Sequence, residues 1–407
     1  MSRKWKQFLT FALCLAMVLA FTVGCGGGGS EAAPADTGSG SAAAADDTSA
    51  APEKKVIGIY ADAPGSYYDL EVEAFTKLAE QDPDVDWEVI YKVGGGSADE
   101  QLKAVEDFIA AGYDAMGIIQ NNPTTTNECI LKAVEANVPY FGLNHYFGDQ
   151  PNAYLAAGSE SFDFAACGLA AGEDAVAAGV KKVIMIEGVL GQGTASDQSY
   201  GFLKAYEDAG LSLGTKDDGT PWTAMDIAIE KPGSVGGTPD IEAVFWGAGE
   251  WQADNAQKKM QDAISTLGED GWDGCYVQND PMCEGVMAAM DSAGLDPANY
   301  WIGACNGREE SWQWVKDGKI NMDVNQSPCL DGLVAYQQMK AYFAGEDYKQ
   351  FVYCYITPYN ADTIADLEPS LIPCSVVDDF IDKYNAGTIV TDIADPKFVE
   401  MPGYTES

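Results

Sequence analysis

From Lys54 onward the chain alternates two textures. Short, mainly apolar runs recur at 56–60, 87–91, 115–119 and 139–143. The stretches between them, 70–80, 98–111 and 125–136, carry apolar residues at helical spacing. A strand half exposed to water alternates apolar and polar residues, whereas a strand covered on both faces is apolar throughout. These runs are of the second kind. Strand and helix in alternation, with such strands, predict a parallel sheet clothed by helices, hence the α/β class. The pattern then starts again. Strands are predicted at 154–157, 183–186, 243–246, 275–278 and 301–305. Helices are predicted at 162–177, 199–209, 252–267, 282–293, 309–315 and 330–343. Residues 211–240, rich in Gly, Thr, Asp and Pro, read as an irregular insertion, and the tail from Gln350 alternates only weakly.

The first 53 residues do not fit this scheme. Arg3, Lys4 and Lys6 precede an apolar run over 8–23 that ends in Thr22-Val23-Gly24-Cys25. The run is too short and too punctuated for a good spanning helix. A basic stub, a short apolar core and small residues make an export signal. A cysteine directly after Val-Gly is similar to a bacterial lipobox, although Thr22 stands where leucine is usual. Residues 1–24 are therefore expected to be a signal peptide and Cys25 the lipidation site. Residues 25–53, small and polar with almost nothing to bury, read as a flexible linker behind that anchor.

Composition narrows the classes further. The chain has 407 residues, 46% of them apolar, enough for two ordinary domains. Its formal net charge of -40 repels phosphate backbones and argues against a nucleic-acid partner. Eight cysteines lie beyond the signal, with no C-x-x-C pair, and are expected to be mostly free thiols. The glycine-rich stretches at 94–97 and 188–193 lack dinucleotide and P-loop spacing and read as tight strand-to-helix turns. No G-x-S-x-G or H-E-x-x-H occurs, and His145 is the only histidine, so a hydrolase has little to build on. No metal or cofactor is expected.

Several blocks carry a resemblance. Residues 57–68 form a strand and a Pro-Gly-Ser-Tyr-Tyr turn. Ala110-Ala111-Gly112-Tyr113-Asp114-Ala115 leads to Gln120-Asn121-Asn122-Pro123, and Asn137-Val138-Pro139-Tyr140 leads to Asn144-His145. Gln278-Asn279-Asp280-Pro281-Met282 is the sharpest block. Gly303-Ala304-Cys305-Asn306-Gly307 and Asn325-Gln326-Ser327-Pro328 complete the series. In this order and spacing the chain resembles the type I periplasmic binding proteins of the ribose and galactose kind. The resemblance implies two Rossmann-like lobes with parallel sheets, joined by hinge crossings, with the ligand between them. The first lobe is expected to comprise 54–158 plus about 328–357, and the second 159–327 plus about 358–407. It also implies a contact set: Tyr67, Tyr68, Asn144, His145, Gln198, Trp251, Asn279, Asp280, Asn306 and Gln326.

That set suits a sugar. Hydroxyls both donate and accept, as do Asn and Gln side chains, and aromatic rings meet the apolar C–H faces. Asn144 and Asn306 stand where the family often has acids, and His145 and Gln198 where bases are common. The pocket is thus expected to be nearly neutral and its ligand uncharged. The function implied is an extracytoplasmic, lipid-anchored monomer that passes a sugar to an ABC transporter permease. The same fold could instead present a ligand to a receptor as a sensor subunit.

Overall fold

A computed structural model describes residues 51–120 and 123–404. The expected signal peptide, Cys25 and nearly all of the linker lie outside the described residues. The body is built on two sheets, each covered on both faces.

The first sheet has seven strands in the order β13-β11-β5-β4-β3-β1-β2. These are β1 (Lys54–Ala61), β2 (Asp86–Val93), β3 (Ala115–Ile119), β4 (Tyr140–Leu143), β5 (Gly158–Phe162), β11 (Phe351–Cys354) and β13 (Val399–Glu400). All run parallel except β13. One face carries α1 (Ser66–Gln81), α10 (Pro328–Ala344) and α12 (Val377–Ala386); the other carries α2 (Ala98–Ala111) and α3 (Pro123–Ala136).

The second sheet has six strands in the order β12-β10-β9-β8-β6-β7. They are β6 (Lys182–Glu187), β7 (Glu242–Ala248), β8 (Gly274–Val277), β9 (Trp301–Gly303), β10 (Met322–Asn325) and the antiparallel edge β12 (Thr357–Asn360). Here α4 (Phe164–Ala178), α5 (Gly193–Asp208) and α6 (Ala224–Glu230) cover one face. The other is covered by α7 (Ala253–Leu267), α8 (Asp280–Ala293) and α9 (Glu309–Lys316), with short α11 (Ile364–Leu367) beside them.

Local chemistry sets the helix starts. The side chains of Ser97, Asp163, Asn279 and Ser327 each accept a backbone N–H of the helix they precede. Helices α4 and α5 approach so closely that glycine is needed at the contact. A Cβ on Gly168 would fall 1.9 Å from the Gln198 carbonyl oxygen, and one on Gly201 1.9 Å from that of Ala165. This contact fixes the start of α5 and the side chains it sends toward the other lobe.

The sequence reading needs four corrections. Residues 154–157 are not a strand: Ala153–Leu155 form a 3-10 turn, and the strand follows as β5. That strand, given to the second lobe, pairs with β4 and β11 in the first sheet. The insertion at 211–240 contains a true helix, α6, because Thr223 and Asp226 form a reciprocal capping box. The largest difference is the tail. Leu371 still packs in the second lobe, but Ile372, Val377, Phe380, Ile389, Ile393 and Phe398 all bury against the first. The chain therefore passes between the lobes four times, near 163, 326, 355 and 372. The eight described cysteines are buried and unpaired.

Candidate ligand-binding site

In an open parallel sheet, ligands gather at the carboxyl ends of the strands, where the strand order reverses. Both sheets reverse there, between β1 and β3 and between β6 and β8. A cleft of about 1000 Å³ opens between these two edges. Nine of the ten expected residues line it: Tyr67, Tyr68, Asn144, His145, Gln198, Trp251, Asn279, Asn306 and Gln326.

All but Gln198, which lies within α5, are placed at or just after a strand end. Tyr67 and Tyr68 open α1, just after β1. The Tyr67 hydroxyl donates to Asp331 Oδ2 at 2.8 Å and accepts from Gln326 Nε2. Gln326, after β10, also accepts from Asn306 Nδ2 at 2.9 Å. A chain of hydrogen bonds thus runs from one lobe into the other. Asn144 and Asn306 have positive φ of 62° and 107°, conformations that asparagine tolerates better than most residues. Glu250 and Trp251 are also left-handed, at 52° and 60°, although neither is a natural occupant of that region. Such strain persists only where the surroundings over-determine it, and it clusters at functional sites. Here the indole lies over Gly188 and its Nε1–H donates to Gln192 Oε1 at 2.8 Å.

Asn279 is both a cleft residue and the cap of α8: its Oδ1 accepts the Met282 N–H at 2.9 Å. Gln198 is almost wholly buried, and its Oε1 accepts from the Tyr276 hydroxyl at 2.9 Å. Asp280 is the exception. It is fully buried and not part of the cleft wall. Its Oδ2 accepts the Arg308 N–H at 2.6 Å, which orients the loop after β9. As the first residue of α8, its side chain turns away from the side that Asn279 faces. Burial, then the charge of Asp323, pushes its carboxyl well above the usual range.

His145 sits between Tyr68 Oη (3.2 Å from Nε2) and Thr194 Oγ1 (3.4 Å from Nδ1), the latter on the opposite lobe. Desolvation lowers its pKa to about 4. A pKa below the unfolded value of about 6.5 means that the folded protein binds fewer protons. Stability contributed by the neutral ring is present above pH 6.5 and is lost as the pH falls toward 4. Because the chain has one histidine, an NMR titration of its ring protons should show a single curve with a midpoint below 5. A midpoint of 6–7 would mean an open, hydrated ring.

Sequence reasoning missed part of the wall. Arg308 lines the cleft, as do Cys374 and Ser375 from the fourth crossing. Arg308 Nε donates to Ser375 Oγ at 3.1 Å, and Nη2 lies 3.6 Å from Glu310 Oε1. Asp69 and Glu250 are also present in the wall. The expectation of neutrality counted only matched positions and overlooked these charges. They are engaged locally: Asp69 accepts from the Tyr91 hydroxyl, and Glu250 accepts from Asn255 Nδ2. Arg308 is the only arginine besides Arg3, a signal that was available. Cys374 and Ser375 left no such signal, because nothing in their local pattern marks a crossing. Gln278 also lines the cleft, but both ends of its amide are taken by Gly188 N–H, the Ala195 carbonyl and Ser199 Oγ.

The family model described as "Periplasmic binding protein domain" matches residues 57–347, and the chain belongs to that family. It is a family of extracytoplasmic solute-binding proteins rather than of enzymes. The galactofuranose-binding protein YtfQ of Escherichia coli is 24% identical over 245 residues, 59% of this chain and 67% of its own. A xylitol-binding protein of Mycolicibacterium smegmatis is 24% identical over 327 residues, 78% of this chain and 81% of its own. The crystal structure of a galactofuranose binding protein superposes with a TM-score of 0.63 at 20% identity, covering 82% of this chain and 99% of that one. These structures share the fold. No described helix is long and apolar enough to cross a membrane.

Proposed function

We propose that the cleft captures an uncharged, hydroxyl-rich small molecule, a sugar or polyol, and that the protein delivers it to an ABC transporter permease. The observation that carries this reading is the ring of two-way hydrogen-bonding groups and aromatic faces at the carboxyl ends of both sheets. Asn144, Asn279, Asn306, Gln198 and Gln326 offer amides, while Tyr67, Tyr68 and Trp251 offer rings. Such groups match hydroxyls and C–H faces and leave analogues without the hydroxyl poorly bound, since buried amides then go unpaired. The wall charges already have partners, so an ionised ligand would find little free counter-charge with which to offset its desolvation. The curated relatives are named for galactofuranose and xylitol, both rich in hydroxyls.

The mechanism is closure. The four crossings act as hinges, and a ligand that touches both lobes favours the closed form by its extra contacts there. The permease reads that form. Lipidation at Cys25 holds a monomeric protein at the membrane outside the cytoplasm. The test is a thermal-shift screen of pentoses, hexoses, furanoses and polyols, followed by calorimetry. One such compound should raise the unfolding temperature, and its affinity should change less than threefold between low and high salt, because screening acts on charge pairs. A preference for a sugar acid or phosphate, or a steep salt dependence, overturns the reading.

A further inference from the structure

The insertion at 211–240 contributes no residue to the cleft wall. Its helix α6 is nevertheless joined to the seat of Trp251 by a continuous set of hydrogen bonds. Lys231 directly follows α6 and is left-handed, at φ 46°, a conformation uncommon for lysine and sustained only by its surroundings. Three contacts hold its side chain. The ammonium donates to Glu187 Oε1 at 3.0 Å and to the Ala228 carbonyl at 2.6 Å, and it lies 4.7 Å from the centre of the Trp246 ring. Glu187 is the last residue of β6, and its side chain is 1% exposed against 19% for that of Lys231. Among the described residues, every other lysine or arginine ion pair is made with a different carboxylate.

From Glu187 the bonds continue to the cleft along two branches. In the first, Ser199 Oγ donates to the same Oε1 and accepts from Gln278 Nε2 at 2.8 Å, and Gln278 Oε1 accepts the Gly188 N–H at 2.9 Å. The second is backbone: the Glu187 carbonyl accepts the Gly249 N–H at 2.7 Å, and the Gly188 carbonyl accepts the Glu250 N–H at 3.2 Å. Glu250 and Trp251 are the left-handed pair, and the indole lies over Gly188. Both branches therefore end beneath the same ring. We propose that Lys231 is a positioning residue for Trp251: by neutralising Glu187 it fixes the end of β6, and with it the backbone on which the indole is seated. Its effect on affinity rests on the cleft being the ligand site; its effect on the ring does not. Removing one member of a buried ion pair leaves the other uncompensated. Without the ammonium, Glu187 takes up a proton or turns toward water, and either change disturbs Ser199, Gln278 and Gly188.

The test uses the full chain, first without any ligand. In a nitrogen–proton correlation spectrum the indole N–H signal of Trp251 is identified by its loss in Trp251→Phe. Lys231→Met should shift that signal, and Lys231→Gln, milder in packing, should shift it too if the methionine variant does not fold. Lys231→Arg, which keeps the charge, should leave it in place. So should Lys231→Met combined with Glu187→Gln, where no charge remains to be neutralised and Oε1 still accepts from Ser199. Lys216→Met, which breaks ion pairs with Asp226 and Glu230 in the same insertion, is the control and should leave the signal unmoved. For the compound selected by the thermal-shift screen, Lys231→Met should raise Kd about tenfold, part of what losing the whole aromatic face would cost, with the arginine and double variants within about twofold of wild type. An unmoved signal in the folded neutral variants overturns the proposal, whatever happens to their melting temperature, because a purely structural lysine costs stability alone. An equal shift in Lys231→Arg or in the double variant also overturns it, since the cause is then packing rather than charge. If no sugar or polyol binds, the cleft reading fails while the ligand-free spectra still decide the role of Lys231.

Discussion

Trp251→Ala is expected to weaken ligand binding by about 1–3 kcal/mol, roughly 5- to 150-fold. The indole is half-buried, stands in the cleft wall and is pinned there from two sides. Gln192 accepts its N–H, and Gly188 supplies a floor without a side chain. The left-handed backbone at Glu250 and Trp251 shows that the ring is placed at a conformational cost. An aromatic face held in this way is a platform for the C–H face of a sugar. Gly188→Ala should reproduce part of the loss with the indole still present, because its Cβ would fall 2.1 Å from Trp251 Cζ2. Calorimetry with the compound found by the thermal-shift screen decides the matter. Unchanged affinity in Trp251→Ala would place the ring outside the binding surface.

The pattern of the chain made most of the architecture legible, and the exceptions have physical causes. Strands β3, β4 and β8 are buried throughout and apolar throughout, so their role could be read directly. Strand β5 reads Gly-Ser-Glu-Ser-Phe and is equally buried. Its polarity hid a central strand, and the lobe boundary was drawn in the wrong place. The polarity has a structural use: Glu160 accepts the Asn144 N–H, and Ser161 Oγ donates to the Asn144 carbonyl. These bonds hold the turn after β4 in its left-handed form. The tail was illegible for a different reason. Its strands are short: β11 and β12 have four residues each and β13 two, too few for a clear periodicity.

At the site, residues that follow a strand in a family-like block were recoverable, since strand ends are where such sheets bind. Asp280 was misjudged because sequence adjacency to Asn279 does not mean a shared direction. One residue along a helix turns the side chain by about 100°, which takes it from the cleft to the interior. Arg308 and Ser375 illustrate the converse. They meet only because the fourth crossing passes the loop after β9, and no local pattern encodes a contact between segments 67 residues apart.

The second large effect is expected at Asn144. Asn144→Asp should destabilise the fold by about 3 kcal/mol, the scale of losing a donor to a buried charged group and leaving that group facing another acceptor. The substitution is nearly isosteric, and aspartate tolerates a φ of 62° about as well as asparagine, so neither packing nor backbone changes. What changes is one functional group. The Asn144 amide donates to Asp331 Oδ2 at 2.9 Å, whereas a carboxylate there can only repel it. Asp331 is already pressed by burial, Glu160 faces it, and Glu71 lies close enough for the two charges to oppose each other. A fourth acid has no counter-charge to meet among the described ion pairs. Urea unfolding followed by circular dichroism measures the loss. The same variant should bind the sugar more weakly, because Asp331 also holds Tyr67 at the cleft surface. Wild-type stability in Asn144→Asp would show that the acids are less enclosed than the packing around them indicates.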